Sequence, residues 1–146
     1  MQQGLNKALE FAVAKEKEAE SYYRDWAAKA ADPGVRRLFQ ELAGWEHGHV
    51  EKLSRIKPEE LIAQGAAPPD LKLSDLLVEV KARPDMGLPE ALAVAMKREQ
   101  ASVALYEGLS RLGGPASQIF SALVEEERRH KRLLEDEYEA LAMPDN

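Results

Sequence analysis

The sequence predicts an all-α fold: a four-helix bundle built from two helical hairpins, joined by a long crossover that carries a short extra helix. Three observations predict it. Prolines are confined to a few places, apolar residues recur at steps of three and four, and the two halves of the chain resemble each other. Proline in a helix interior costs about 3 kcal/mol, so its positions mark ends and connections. Pro33, Pro115 and Pro144 stand alone, and the other five prolines lie between Pro58 and Pro89. Four long proline-free segments remain, at 5–31, 34–56, 90–112 and 116–142. All are rich in Ala, Leu, Glu, Lys and Arg, residues that lose little on entering a helix.

The first segment, "LNKALEFAVAKEKEAESYYRDWAAKAA", leads through "ADPG" into the second. There Val35, Leu38, Phe39, Leu42, Glu46, His49, Leu53 and Ile56 form one stripe, the signature of a helix with a single buried face. Glu46 and His49 occupy core positions of that stripe. The crossover, 57–89, is long enough to run back along a helix of about 22 residues, roughly 33 Å. Within it Ser74 followed by "DLLVEVKA" predicts an N-capped short helix. The third segment leads through "LGGPA" into the fourth, where Phe120, Leu123, Glu127, His130, Leu134 and Tyr138 share a face. Connections this short make antiparallel hairpins of 5–56 and 90–142, and 146 residues suit one domain over 1–146 with one core.

Composition narrows the function. A net charge of −6 with 32% charged residues argues against an electrostatic grip on nucleic acid or anionic lipid, which leaves small ions and other proteins as partners. No cysteine is present, so a disulfide framework, a thiolate zinc site, an iron–sulfur centre and a rubredoxin-type module in this chain are excluded. No apolar run of about 18 residues occurs, and the N-terminus lacks a basic start followed by an apolar stretch. No membrane partner is expected, and the cytoplasm is the expected location.

Shifting the sequence by 83 pairs Ala8, Leu9, Ala12, Glu16 and Tyr23 with Ala91, Leu92, Ala95, Glu99 and Tyr106. Shifting by 81 pairs Phe39, Leu42, Glu46, His49 and Leu53 with Phe120, Leu123, Glu127, His130 and Leu134. The difference of two falls in the hairpin loops, where deletions are tolerated. Each half therefore carries one lone core glutamate on its first helix and one Glu-x-x-His on its second. Residues three apart on a helix lie about 60° apart in projection and about 4.5 Å apart along the axis, so both members of each pair can reach one centre. Four carboxylates in a low-dielectric core would repel each other and carry a desolvation penalty of several kcal/mol per ion. Two divalent cations cancel those charges, and the oxygen-plus-nitrogen donor set suits iron or manganese more than calcium or magnesium.

These residues resemble the di-iron domain of the rubrerythrin branch of the ferritin-like superfamily, in which two helices give one Glu each and two give Glu-x-x-His. The resemblance rests on "AKEKEAESYYRDWAAKAADPGVRRLFQELAGWEHGH", "KREQASVALYEGL" and "FSALVEEERRH", and covers nearly the whole chain except the crossover. It implies Glu16, Glu46, His49, Glu99, Glu127 and His130 as ligands of two iron ions, with manganese or zinc also accepted by such donors. It further implies an oxidoreductase reacting with peroxide or dioxygen, supplied by an external electron donor, and a homodimer. One departure argues against peroxidase turnover: rubrerythrins with that activity usually carry a further glutamate three residues after the third-helix ligand, where this chain has Ser102.

The remaining polar residues have blander readings. Glu20 lies one turn beyond Glu16 and can supplement or replace it, although its counterpart in the repeat is Val103. Tyr23 and Tyr106 stand about 10.5 Å along the axis from Glu16 and Glu99, too far to share their coordination. They either hydrogen-bond ligands of the facing helices or are plain core tyrosines, and the core reading is preferred. His47 turns about 100° away from Glu46 and reads as a surface histidine. "EEERR" and "EKEAE" read as solvated faces, Trp26 and Trp45 as packing or interface residues, and Gly44 with Gly48 as marks of close approach by another helix or subunit. Two other functions compete with the oxidoreductase: an iron-binding, ferroxidase or storage protein of the ferritin-like class, and a metal-free helical interaction module.

Overall fold

The computed structural model describes residues 2–60 and 86–142. Four helices make up nearly all of it: α1 (Gln2–Lys29), α2 (Pro33–Ser54), α3 (Leu88–Ser110) and α4 (Ser117–Ala142). A 3-10 turn, Pro58–Glu60, follows α2. Helix α1 packs along α2 and α3 packs along α4, giving the two hairpins expected of a four-helix bundle. The predicted helix at Ser74 and most of the crossover lie outside the described residues.

Local chemistry sets where the helices start and stop. Oδ1 of Asp32 accepts hydrogen bonds from the backbone N–H groups of Gly34 at 2.7 Å and Val35 at 3.2 Å, which satisfies donors that the first turn of α2 leaves unpaired. Pro33 therefore starts the helix rather than preceding it, because proline at the first position gives up an N–H with no helical partner anyway. Pro89 enters the first turn of α3 in the same way. The connection after α1 is held by Arg36, whose Nε and Nη2 donate to the carbonyl of Ala30 at 3.2 and 3.0 Å. In the loop after α3, Gly113 and Gly114 take φ of 71° and 82°, left-handed values that explain why two glycines stand there. The backbone N–H of Ala116 donates to the carbonyl of Glu60 at 2.9 Å, tying the 3-10 turn to the start of α4.

Two apolar clusters fill the bundle. One, near the start of α1 and α4, is centred on Leu53, Tyr106, Leu109, Phe120 and Leu123. The other, near the start of α2 and α3, is centred on Tyr23, Phe39, Leu42, Leu92 and Leu134. Phe39 and Phe120, which the repeat pairs, are both fully buried, one in each cluster, and each contributes about 1.5–3 kcal/mol by leaving water. Between the clusters lies a layer of buried polar side chains. Among the described residues, Gly44 and Gly48 do not mark a close helix approach: a Cβ added at either would meet nothing within 4 Å.

Candidate metal centre

Glu16, Glu46, His49, Glu99, Glu127 and His130 are buried to between 0 and 3% exposure, so the polar layer consists of all six residues singled out by the repeat. α1 supplies Glu16, α2 supplies Glu46 and His49, α3 supplies Glu99, and α4 supplies Glu127 and His130. Ligand-capable atoms gather into two groups of four, Glu16, Glu46, His49 and Glu127, and Glu46, Glu99, Glu127 and His130, with atoms in each group within 4.8 Å of one another. Glu46 and Glu127 belong to both, as bridging carboxylates would. The helix faces explain the sharing: each Glu-x-x-His presents its histidine to one group and its glutamate to both.

The histidines face inward through Nδ1. Nδ1 of His49 lies 3.3 Å from Glu16, 3.8 Å from Glu46 and 2.8 Å from Glu127. Nδ1 of His130 lies 3.1 Å from Glu46 and 3.8 Å from both Glu99 and Glu127. The two imidazoles stack with centroids 5.6 Å apart. Despite this crowding, Oε2 of Glu99 and both oxygens of Glu127 are buried without any hydrogen-bond partner. The 2.8 Å approach of Glu127 to His49 is not aligned as a hydrogen bond. Leaving a buried acceptor unpaired costs roughly 1–3 kcal/mol, and three converging orphan oxygens in one layer are what a cation would satisfy. The donor set of carboxylates and imidazoles is that of iron, manganese or zinc, so the residues present fit a di-metal group.

Protonation shows the same frustration. Burial pushes Glu46 well above the usual carboxylate range, and the charges of Glu99 and Glu16 push it further. Burial also raises Glu99, against the pull of His130 and the hydroxyl of Tyr23. For Glu16 burial acts in the same direction but is outweighed by hydrogen bonds with Glu46, His49 and Tyr106, and its carboxyl ends lowered. Burial lowers His49, yet Glu16 and Glu46 overcome it and hold the imidazole protonated up to about 11.

Tyr23 and Tyr106 are more than core tyrosines. The hydroxyl of Tyr23 on α1 donates to Oε1 of Glu99 on α3 at 2.6 Å, and that of Tyr106 on α3 donates to Oε1 of Glu16 on α1 at 2.6 Å. The pair crosses the bundle reciprocally, and each phenol fixes one carboxylate oxygen. Glu20 is not brought to the centre. Its carboxylate pairs with Arg24 at 2.7 Å and with His47 at 3.1 Å near the surface, because one further helical turn carries it out of the polar layer. His47 is exposed, as expected of a surface histidine.

Two residues were missed by sequence reasoning. Glu126, within the "EEERR" run read as solvated, accepts a hydrogen bond from Nε2 of His49. Trp45 lays its indole flat over His130, with centroids 4.8 Å apart and planes 8° apart. Both precede a Glu-x-x-His glutamate, and that position was the available signal.

A four-helix bundle of two hairpins with carboxylates and histidines interlocked at its centre defines the ferritin-like class. Within that class the chain belongs to the Rubrerythrin family, whose model matches residues 7–138. Among solved structures it is similar to a protein from Thermotoga maritima described as a ferritin-like diiron-carboxylate protein. The two are 26% identical with a TM-score of 0.68, over 90% of this chain and 92% of the other. No curated protein matches the chain.

Proposed function

We propose that the chain is a non-haem di-iron carboxylate protein, an oxidoreductase in which Glu16, Glu46, His49, Glu99, Glu127 and His130 hold two metal ions that react with peroxide or dioxygen. The observation that carries this reading is Glu127, fully buried at the intersection of both groups with neither oxygen hydrogen-bonded. A metal-free helical module would gain nothing from such a residue. Two divalent ions balance the four carboxylates, and Rubrerythrin membership favours iron over manganese or zinc.

Bound iron would supply the electrons for reduction of the oxidant. The chain's own residues would shape that chemistry. Tyr23 and Tyr106 each hold one oxygen of Glu99 and Glu16, leaving the second oxygen to turn inward. A cavity of about 40 Å³ between α1 and α3 reaches Glu46 and Glu99, with Phe11, Ser102, Leu105 and Tyr106 among its walls. It has room for a few water-sized molecules, which suits dioxygen or peroxide. With no cysteine in the chain, reducing equivalents would come from an external donor, and a homodimer is the assembly we expect.

Metal analysis of protein purified without chelator, followed by anaerobic reduction and titration with peroxide, tests this. About two metals per chain and an absorbance change that saturates stoichiometrically are expected. A chain that takes up no metal, or a spectrum indifferent to oxidant, would overturn it.

A further inference from the structure

The pseudo-symmetry of the centre is broken at the positions just before the two shared glutamates. The shift of 81 that pairs Glu46 with Glu127 also pairs Trp45 with Glu126. Each reaches the histidine of the opposite half. Glu126, one-third exposed, receives Nε2 of His49 and is itself approached by Nζ of Lys52 at 3.6 Å. Trp45 stacks on His130, and among the described residues no carboxylate stands at Nε2 of His130. All five side chains border one cleft of about 170 Å³ between α2 and α4.

We propose that the two halves of the centre hold metal unequally, and that Glu126, acting through His49, makes the Glu16–Glu46–His49–Glu127 half the tighter one. This rests on the di-metal reading above. A carboxylate that accepts the distal N–H of an imidazole fixes the tautomer, so that Nδ1 presents its lone pair. It also makes that nitrogen a stronger donor, stabilising the positive charge it faces. The indole over His130 orients its ring by stacking but offers no acceptor. Glu46 and Glu127 belong to both groups of donors. Tyr23 and Tyr106 treat Glu99 and Glu16 alike, with equal 2.6 Å hydrogen bonds. The partners of the two histidines, a carboxylate at His49 and an indole at His130, are the asymmetry on which the proposal rests. Glu126 is a positioning residue, and the consequence is sequential filling, with the His49 half loaded first and the His130 half remaining the exchangeable one.

Calorimetric titration of the chelator-stripped full chain with Co(II) tests this without reference to turnover. The native chain should bind two equivalents in two resolved steps, and His49→Ala should remove the tighter step while His130→Ala removes the weaker. Glu126→Gln keeps the shape and an acceptor oxygen but removes the charge. It should weaken the tighter step roughly 10- to 100-fold while leaving the weaker one in place, and Glu126→Asp should restore part of the loss. Trp45→Glu should strengthen the weaker step by supplying the missing carboxylate. A purely structural role for Glu126 would weaken both steps together and overturn the proposal, as would two equal steps in the native chain or a tight step indifferent to Glu126→Gln. Uptake of no metal at all would instead overturn the di-metal reading on which the proposal stands.

Discussion

Replacing Glu127 with methionine should stabilise the protein when metal is absent and destabilise it when metal is present. Both oxygens of Glu127 are buried and unpaired, and a buried polar group without a partner costs roughly 1–3 kcal/mol. Methionine has a similar length and no such demand, and losing one of four crowded carboxylates also relieves like-charge repulsion. A gain of about 2 kcal/mol in a chain of this size corresponds to a rise of roughly 4–8 °C in Tm. With cation the sign reverses. Metal at about 100 times its Kd adds about 2.7 kcal/mol to the native chain, and Glu127 belongs to both ligand groups, so the variant forfeits most of that gain. Thermal melts followed by far-ultraviolet circular dichroism, with chelator and then with Co(II), read both halves of the prediction. A Glu127→Met chain that melts lower than the native chain in chelator would refute the idea that this carboxylate is retained for a cation, as would one that responds to metal as strongly.

The protons held by the metal-free layer give a pH dependence. Glu46 and His49 are both raised above their ordinary values of 4.5 and 6.5, so the folded chain keeps protons that the unfolded chain releases. Their contribution is complete below those values and fades as pH rises, for His49 through about 11. Metal-free protein should accordingly melt lower at pH 9 than at pH 6, Glu16 having the opposite sign and acting only in acid. Cations must displace the same protons, so the stabilisation by Co(II) should grow between pH 6 and pH 8, and a gain that shrinks would contradict the assignment. Tyr23→Phe deletes the 2.6 Å hydrogen bond to Glu99 and should cost about 1–3 kcal/mol in urea denaturation; an unchanged midpoint would show that the phenol contributes no stability there. Asp32→Ala should cost about 1 kcal/mol by uncapping α2, with Asp32→Ser recovering most of it.

The bundle and the six inward residues were legible because both rest on short-range periodicity. An imidazole or carboxylate in an apolar row at helical spacing must enter the core, and a duplicated pattern shows the same anomaly twice. The contributions of Tyr23, Tyr106, Glu126 and Trp45 were harder to read because each acts across the bundle. Axial rise along α1 shows that Tyr23 cannot reach Glu16 on its own helix, but which carboxylate it meets depends on how α1 and α3 are staggered. Glu126 sits in an acidic run whose composition reads as solvent-facing, and only the packing of α4 on α2 gives that one member a histidine. The repeat held a usable sign, since the positions before the two shared glutamates differ in chemistry while the Glu-x-x-His positions themselves agree. The helix starts shifted for a local reason: Pro33 and Pro89 fall at first-turn positions, where proline is welcome.

Each group of four donors spans the joint between the hairpins. The first takes three residues from α1 and α2 and one from α4, and the second takes one from α2 and three from α3 and α4. Neither hairpin alone brings together all four donors of either group. Carrying both on a single chain makes their meeting intramolecular, independent of protein concentration. Cut between the hairpins, the polypeptide would become a two-component system in which cation uptake reports the mating of its halves.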